Sequence, residues 1–274
     1  MSDGAGPFNA VWPALQAMAL PGARLLYLPI AKNACTSLKT LMVELSGLPE
    51  SRKAAILRDV HGVLDDEATG LQLKDHPEAA ARAMLVAEGW KRVAVLRDPA
   101  ERLVSAYVEK FVIRRERKRI AAAPVVAAIR GLSDPDEADL ARGIRFAEFL
   151  EHVCATPPEE LDPHFRDQAD SFAHGVWTDL YAMEHLDLLE ADLSRHLGRP
   201  VAVGTLNRAR PAPRRVVPGA AALWPEELPD PRSLAPESFV DAEVRARIES
   251  RFARDATLHR AALRENALRR RLVV

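Results

Sequence analysis

The stretch YLPIAKNACTSLKTLM, from Tyr27 to Met42, follows the apolar pair Leu25 and Leu26 and decides how the chain is read. A strand over residues 24–28 runs into a short polar loop. A helical pattern follows over about residues 37–46, and Gly47 and Pro49 supply its stop signals. Backbone N–H groups at a helix N-terminus, with the helix dipole behind them, form an anion site whatever the side chains are. Here the amides of Ala34, Cys35, Thr36 and Ser37 would face the anion. The hydroxyls of Thr36 and Ser37 would add donors, and Lys32 a point charge. A nucleoside-triphosphatase loop reads GxxxxGK[ST], with glycines that let the backbone wrap a triphosphate and a hydroxyl for magnesium. This loop has no glycine, and its lysine precedes the core of the loop instead of ending it. An ATPase or GTPase is disfavoured.

A second unit repeats the arrangement. Residues 92–96, RVAVL, are short, apolar and β-branched enough for a buried parallel strand. RDPAERLVSAYVEKF follows, from Arg97 to Phe111: Asp98 is a good N-cap, Pro99 suits the first helical position, and Glu101 completes a capping-box pattern. Capping accounts for Asp98 and Glu101 but not for Arg97 or Ser105. Arg97, at the carboxyl end of the strand, can grip a phosphate with its planar fork, and Ser105, two turns into the helix, can donate a hydroxyl. Open α/β sheets bind ligands at the carboxyl ends of their strands, so two such loops suit a ligand with phosphates at two separated positions. Leu103, Val104, Tyr107 and Phe111 form an apolar helical stripe and read as core. Arg102 would either support the phosphate or pair with an acid of its own helix.

Strands alternating with helices predict an α/β domain with a mainly parallel sheet, and 274 residues at 48% hydrophobic fit a single domain over 1–274. Residues 48–89 read as mostly helical with a break at HGVLDDEATG. The helix after Lys110 is expected to continue through RRERKR (residues 114–119) and AAAPVVAAIR. Further helices are expected over 144–154, 183–197 and 238–271, with a strand around 177–181 and a Pro/Arg-rich loop over 198–236. The 38 basic and 39 acidic side chains balance, so no global field recruits nucleic acid or an anionic membrane. Two cysteines are too few for a disulfide scaffold, and Cys35 suits its loop by small size. The N-terminal segment, 1–22, lacks a basic region before its apolar residues, which argues against a signal peptide and against a transmembrane anchor.

KNACTSLK, from Lys32 to Lys39, resembles the KxxCTxxK loop of the carbohydrate sulfotransferases of the chondroitin and dermatan type, and RDPAERLVSAYVEKF resembles their RDPFERLVSAYRNKF helix. Weaker echoes follow in FAEFLEHV at Phe146, LDPHFRDQ at Leu161, LYAMEHLDLLEADL at Leu180 and RFARDATLH near the end. The resemblance implies a P-loop nucleotide-kinase-like three-layer fold, its mainly parallel sheet flanked by helices. It also implies 3′-phosphoadenosine 5′-phosphosulfate (PAPS) as donor, 3′,5′-diphosphoadenosine (PAP) as product, no required metal, and sulfuryl transfer to a hydroxyl of a glycan or glycosylated small molecule. Carried onto this sequence, the 5′-phosphosulfate falls to Lys32, Asn33, Ala34, Cys35, Thr36 and Ser37, and the 3′-phosphate to Arg97 and Ser105. Lys32 would stabilise the leaving phosphate.

A base must take the acceptor's proton, and eight histidines are available. His61 stands in a place like that of the catalytic histidine of heparan 2-O-sulfotransferases, and His164 lies in DPHFRDQ. An acidic residue or another histidine stays open, and His76 reads as a helix-start residue. The basic run 114–119 is either a solvated helix face or a dock for an acidic acceptor, and the Arg-rich segment 207–215 would close over the 3′-phosphate. The animal relatives are Golgi membrane proteins, and without their anchor a bacterial, cytoplasmic enzyme is expected. Two rival readings stay open: an ATP-dependent kinase on a similar fold, and a non-catalytic adenine-nucleotide-binding protein.

Overall fold

The computed structural model describes residues 16–115, 119–172, 177–204 and 214–273. Four strands occur among them: β1 (Met18–Leu20), β2 (Leu25–Leu28), β3 (Lys91–Leu96) and β4 (Asp179–Ala182). The α-helices are α1 (Cys35–Leu45), α2 (Glu50–Arg58), α3 (Val60–Asp66), α4 (Glu78–Val86), α5 (Pro99–Tyr107), α6 (Arg119–Arg130), α7 (Phe146–Ala155), α8 (Leu186–Leu197), α9 (Ala242–Arg251) and α10 (Ala253–Val273). The described residues form two compact units, one drawn from 1–97, 168–207 and 257–274, the other from 98–167 and 208–256.

The first unit holds the sheet, in the order β1-β2-β3-β4. β2, β3 and β4 are parallel, with Leu25 opposite Lys91 and Val93 opposite Asp179, and β1 runs antiparallel to β2. The mainly parallel sheet expected from the sequence is therefore present. Side chains alternate between the two faces, as the pleat requires. Leu25, Tyr27, Val93, Val95 and Tyr181 pack with Leu38, Met42, Leu64 and Leu189 of α1, α3 and α8. Leu26, Leu28, Ala94, Leu96 and Ala182 pack on the other face with Ala81 and Leu85 of α4 and Ala262 of α10. Burial on both faces explains why the strands read as unbroken apolar runs instead of alternating ones. The Asn266 side chain ties α10 to β4, accepting from Ala182 N–H at 2.8 Å and donating to Leu180 C=O at 2.9 Å.

The second unit packs α5, α6, α7 and α9 around an aromatic core. Tyr107, Phe111, Phe146, Phe149, Phe165 and Phe239 have ring centroids 5.0 to 6.4 Å apart in contacting pairs. The buried Tyr107 hydroxyl donates to Ile144 C=O at 2.9 Å, and burial holds its pKa above the ordinary tyrosine value. The apolar stripe Leu103, Val104, Tyr107 and Phe111 is core, as its spacing predicts.

Several boundaries differ from the sequence reading. The expected break at HGVLDDEATG is met only in its second half: HGVLDD is helical, EATG (residues 67–70) is not, and a further interruption falls at Asp59, whose carboxylate accepts from Gly62 N–H at 3.1 Å and caps α3. The helix through Lys110 turns π-helical over Val108–Ile113 and stops at Arg114, whose N–H bonds Glu109 C=O at 3.0 Å. Residues 116–118 of the basic run and 207–213 of the Arg-rich segment lie outside the described residues. The last helical region divides at Phe252 into α9 and α10. No helix among the described residues is long and apolar enough to cross a membrane.

Candidate active site

β2 ends at Leu28, and the chain turns through residues 29–34 before α1 begins. Asn33 N–H bonds Ile30 C=O at 3.2 Å, and Lys32 and Ala34 take left-handed conformations with φ of 70° and 57°. A left-handed non-glycine residue costs about 1–2 kcal/mol, which is why glycine usually fills such positions. The loop thus adopts a shape ordinarily built from glycines without containing any. Ala34 is the N-cap of α1 and gives no side-chain cap, and the ladder opens with Leu38 N–H to Ala34 C=O at 3.0 Å. The N–H groups of Cys35, Thr36 and Ser37 precede that ladder, at the positive end of the helix dipole.

Asn33 is fully buried, and its side chain turns inward. Its Nδ2 donates to Val95 C=O at 2.8 Å and to Gln168 Oε1 at 2.5 Å. Gln168, also fully buried, accepts from Arg97 N–H at 3.1 Å and donates through Nε2 to Arg97 C=O at 2.9 Å. Arg97 Nη1 donates to Lys32 C=O at 3.2 Å. The loop after β2, the carboxyl end of β3 and the 3-10 segment Gln168–Phe172 are thereby locked together, and Arg97 lies against the Lys32 loop.

A second cluster borders the start of α1. His61, on α3, places Nε2 2.9 Å from Thr36 Oγ1 and Nδ1 3.4 Å from Lys39 Nζ. Lys39, only 3% exposed, also reaches Asp65 Oδ1 at 3.3 Å. The cluster connects a residue expected as a base with two expected as cradle and motif residues.

The remaining candidates lie in the second unit. Asp98 caps α5, accepting from Glu101 N–H at 3.0 Å, and pairs with Arg245 at 3.3 Å. Ser105 is half-buried on α5, and its hydroxyl bonds no described residue. Arg102 serves the loop at residues 163–166, donating to Arg166 C=O at 2.6 Å and Pro163 C=O at 3.3 Å. On that loop His164 Nδ1 lies 2.7 Å from Asp162 Oδ1, which also accepts the His164 N–H at 2.8 Å. Burial alone would raise the Asp162 carboxyl, yet the His164 contacts hold it below its ordinary range. The Asp162 carboxylate can only accept, so the His164 Nδ1 is the nitrogen that carries a proton toward it.

Lys32, Asn33, Ala34, Cys35, Thr36, Ser37, His61 and Arg97 therefore share the first unit, whereas Ser105 and His164 belong to the second. Two residues that organise the cradle received no role from the sequence. Gln168 closes the LDPHFRDQ echo and Lys39 closes KNACTSLK; their place in those strings was the available signal.

A mainly parallel sheet covered by helices, with an uncapped helix and a lysine loop at the carboxyl end of a strand, defines the first unit as an α/β fold, and in such folds that edge is where ligands bind. The chain belongs to the sulfotransferase family, whose model matches residues 16–258. Carbohydrate sulfotransferase 14 of Homo sapiens is 30% identical over 142 residues, covering 52% of this chain and 35% of the relative. Its Mus musculus counterpart is 29% identical over the same length. The matched segment spans about a third of the length of these curated relatives. No solved structure matches the chain significantly.

Proposed function

We propose that the chain is a PAPS-dependent sulfotransferase acting on a hydroxyl of a carbohydrate or a glycosylated small molecule, on a P-loop nucleotide-kinase-like fold. The observation that carries this reading is the cradle: a glycine-shaped loop, the uncapped start of α1, and Arg97 clamped onto the Lys32 carbonyl. Family membership supports the chemistry, and the relatives' name supports the acceptor class.

The cradle residues suit a phosphosulfate. The amides at the start of α1 and the Thr36 hydroxyl bind its oxygens, and Ser105 adds a donor for the 3′-phosphate. When bound, the donor supplies an activated sulfuryl group whose bond to the 5′-phosphate breaks as the bond to the acceptor oxygen forms. Lys32 neutralises the charge that develops on the leaving phosphate oxygen, the stabilisation such transfers demand. His164 takes the acceptor's proton at Nε2, with Asp162 orienting the ring. His61 is the other candidate base, but both of its ring nitrogens already face partners, which favours His164.

Calorimetric titration with PAP tests the site. Wild type is expected to bind, and Lys32→Ala and Arg97→Ala each to lose about tenfold or more in affinity, the effect of a charge-assisted hydrogen bond. Unchanged affinity in both variants would sink the assignment. Phosphoryl transfer from ATP, with none of sulfate from PAPS, would replace it with a kinase.

A further inference from the structure

The Thr36, His61, Lys39 and Asp65 side chains form a chain of contacts whose direction follows from what each group can donate. The Lys39 ammonium carries only N–H bonds to give, so the His61 Nδ1 that faces it at 3.4 Å presents its lone pair. A neutral imidazole then bears its proton on Nε2, which donates to Thr36 Oγ1 at 2.9 Å. With its oxygen accepting from His61, Thr36 keeps its own hydroxyl proton for another acceptor. In the opposite tautomer Thr36 donates to Nε2 and an Nδ1–H points at an ammonium, a repulsive arrangement. Lys39 follows Thr36 by three residues on α1, so both side chains lie on one face, and Asp65 at 3.3 Å anchors the ammonium.

We propose that Lys39 and His61 are positioning residues of the donor site: Lys39 sets the His61 tautomer, and His61 aims the Thr36 hydroxyl proton at the anion held at the start of α1. This rests on the cradle being the donor site. His61 on this account moves no proton in the transfer; it acts through Thr36. A buried lysine on the first turns of α1, with no place in the transfer step itself, thereby acquires a function.

Two measurements on the full chain test it. In protein labelled with 15N-histidine, two-bond 1H–15N correlation spectra at neutral pH report the tautomer, with His61 assigned by loss of its signals in His61→Gln. The Nε2–H form is expected in wild type and in Lys39→Arg, and a shift toward the Nδ1–H form in Lys39→Met. PAP titration then forms a double-mutant cycle. Thr36→Val and Lys39→Met are each expected to weaken binding about tenfold, the loss of one hydrogen bond to a charged group. Because Lys39 acts through Thr36, the double variant should bind no more weakly than Thr36→Val alone, and Lys39→Arg should restore most of the affinity. Multiplying losses, or an Nδ1–H tautomer in wild type, overturn the proposal while leaving the donor site standing. Failure of wild type to bind PAP overturns the donor reading and this proposal together. The wild-type tautomer requires no substitution at Lys39, so an Nδ1–H result overturns the proposal even if Lys39→Met does not fold, and Lys39→Arg and Thr36→Val still report on it through PAP binding.

Discussion

Gln168 closes on Arg97 with both ends of its side-chain amide: Oε1 accepts the Arg97 N–H at 3.1 Å and Nε2 donates to the Arg97 carbonyl at 2.9 Å. The same Oε1 accepts from Asn33 at 2.5 Å, so one buried amide replaces the neighbouring strand that β3 lacks at its end. Truncation to alanine leaves these groups without partners in a buried site, at about 1–3 kcal/mol for each unsatisfied group. Gln168→Ala is expected to lower stability by about 3 kcal/mol in urea unfolding and to weaken PAP binding, because Arg97 loses its anchor. Gln168→Leu, which retains the volume, should lose as much. Near-wild-type stability of the leucine variant would mean that packing, not pairing, is what Gln168 supplies.

Ala34 stands at φ 57° as the N-cap of α1. Glycine occupies that region without strain and is also tolerated at an N-cap, whereas a β-branched side chain fits it poorly. Relief of about 1 kcal/mol of strain competes with glycine's larger entropy loss, about 0.5–1 kcal/mol. Ala34→Gly is therefore expected within about 0.5 kcal/mol of wild type, and Ala34→Val to cost about 2 kcal/mol or more. Thermal unfolding of the pair measures the difference. Equal melting of both variants would show that the left-handed turn is not used in solution.

Much of this architecture is legible in the residues themselves, and the reasons for the rest are specific. β2 and β3 announce themselves because strands buried on both faces are apolar throughout, and Asp98 signals its cap through the Pro99 that follows. β1 escapes notice because three residues, Met18–Leu20, carry no periodicity, and only pairing with β2 makes them a strand. The boundary before α3 is not visible because Asp59, which caps it, stands in a run of helical composition with no glycine or proline just ahead of it to mark a stop. Gln168 meets Arg97 across 71 residues, a relationship that no local pattern encodes. Lys39 sits in a motif, but lysine is so rarely buried that its position alone implies solvent, not His61.

Glu148, on α7, accepts from Arg130 at 2.7 Å, from Arg145 Nη2 at 3.3 Å and from the Arg145 N–H at 2.8 Å. Burial alone would raise its pKa; the two arginines overcome that and hold it at about 2. The folded value lies below the unfolded one of about 4.3, so the carboxylate stabilises the protein above that pH, and the contribution is lost as pH falls toward 2. Solvent reaches the site, so the contribution is about 1–2 kcal/mol rather than the full shift. Wild type should exceed Glu148→Gln by that amount at pH 7, and the gap should close in acid. Urea unfolding at pH 7, 4 and 2.5 measures it. A gap that stays constant with pH would remove the ion pairs from the account.

His164 and Asp162 separate the two candidate bases experimentally. Burial alone would raise the Asp162 carboxyl, but the His164 contacts hold it below its ordinary range, so it stays a charged acceptor for the His164 Nδ1–H. Removing a general base costs about 100-fold or more in rate without touching donor binding. His164→Ala is therefore expected to cut sulfuryl transfer from PAPS to the best acceptor in a glycan panel by that factor, with PAP affinity unchanged. Asp162→Asn should cost less, because the ring remains and only its orientation is lost. His61→Ala should do the reverse, weakening PAP binding while keeping most of the rate at saturating donor, since His61 acts on the anion through Thr36. If His61→Ala instead abolishes turnover at saturating donor and His164→Ala does not, the proton goes to His61, and the hydrogen bond to Thr36 must break before each transfer.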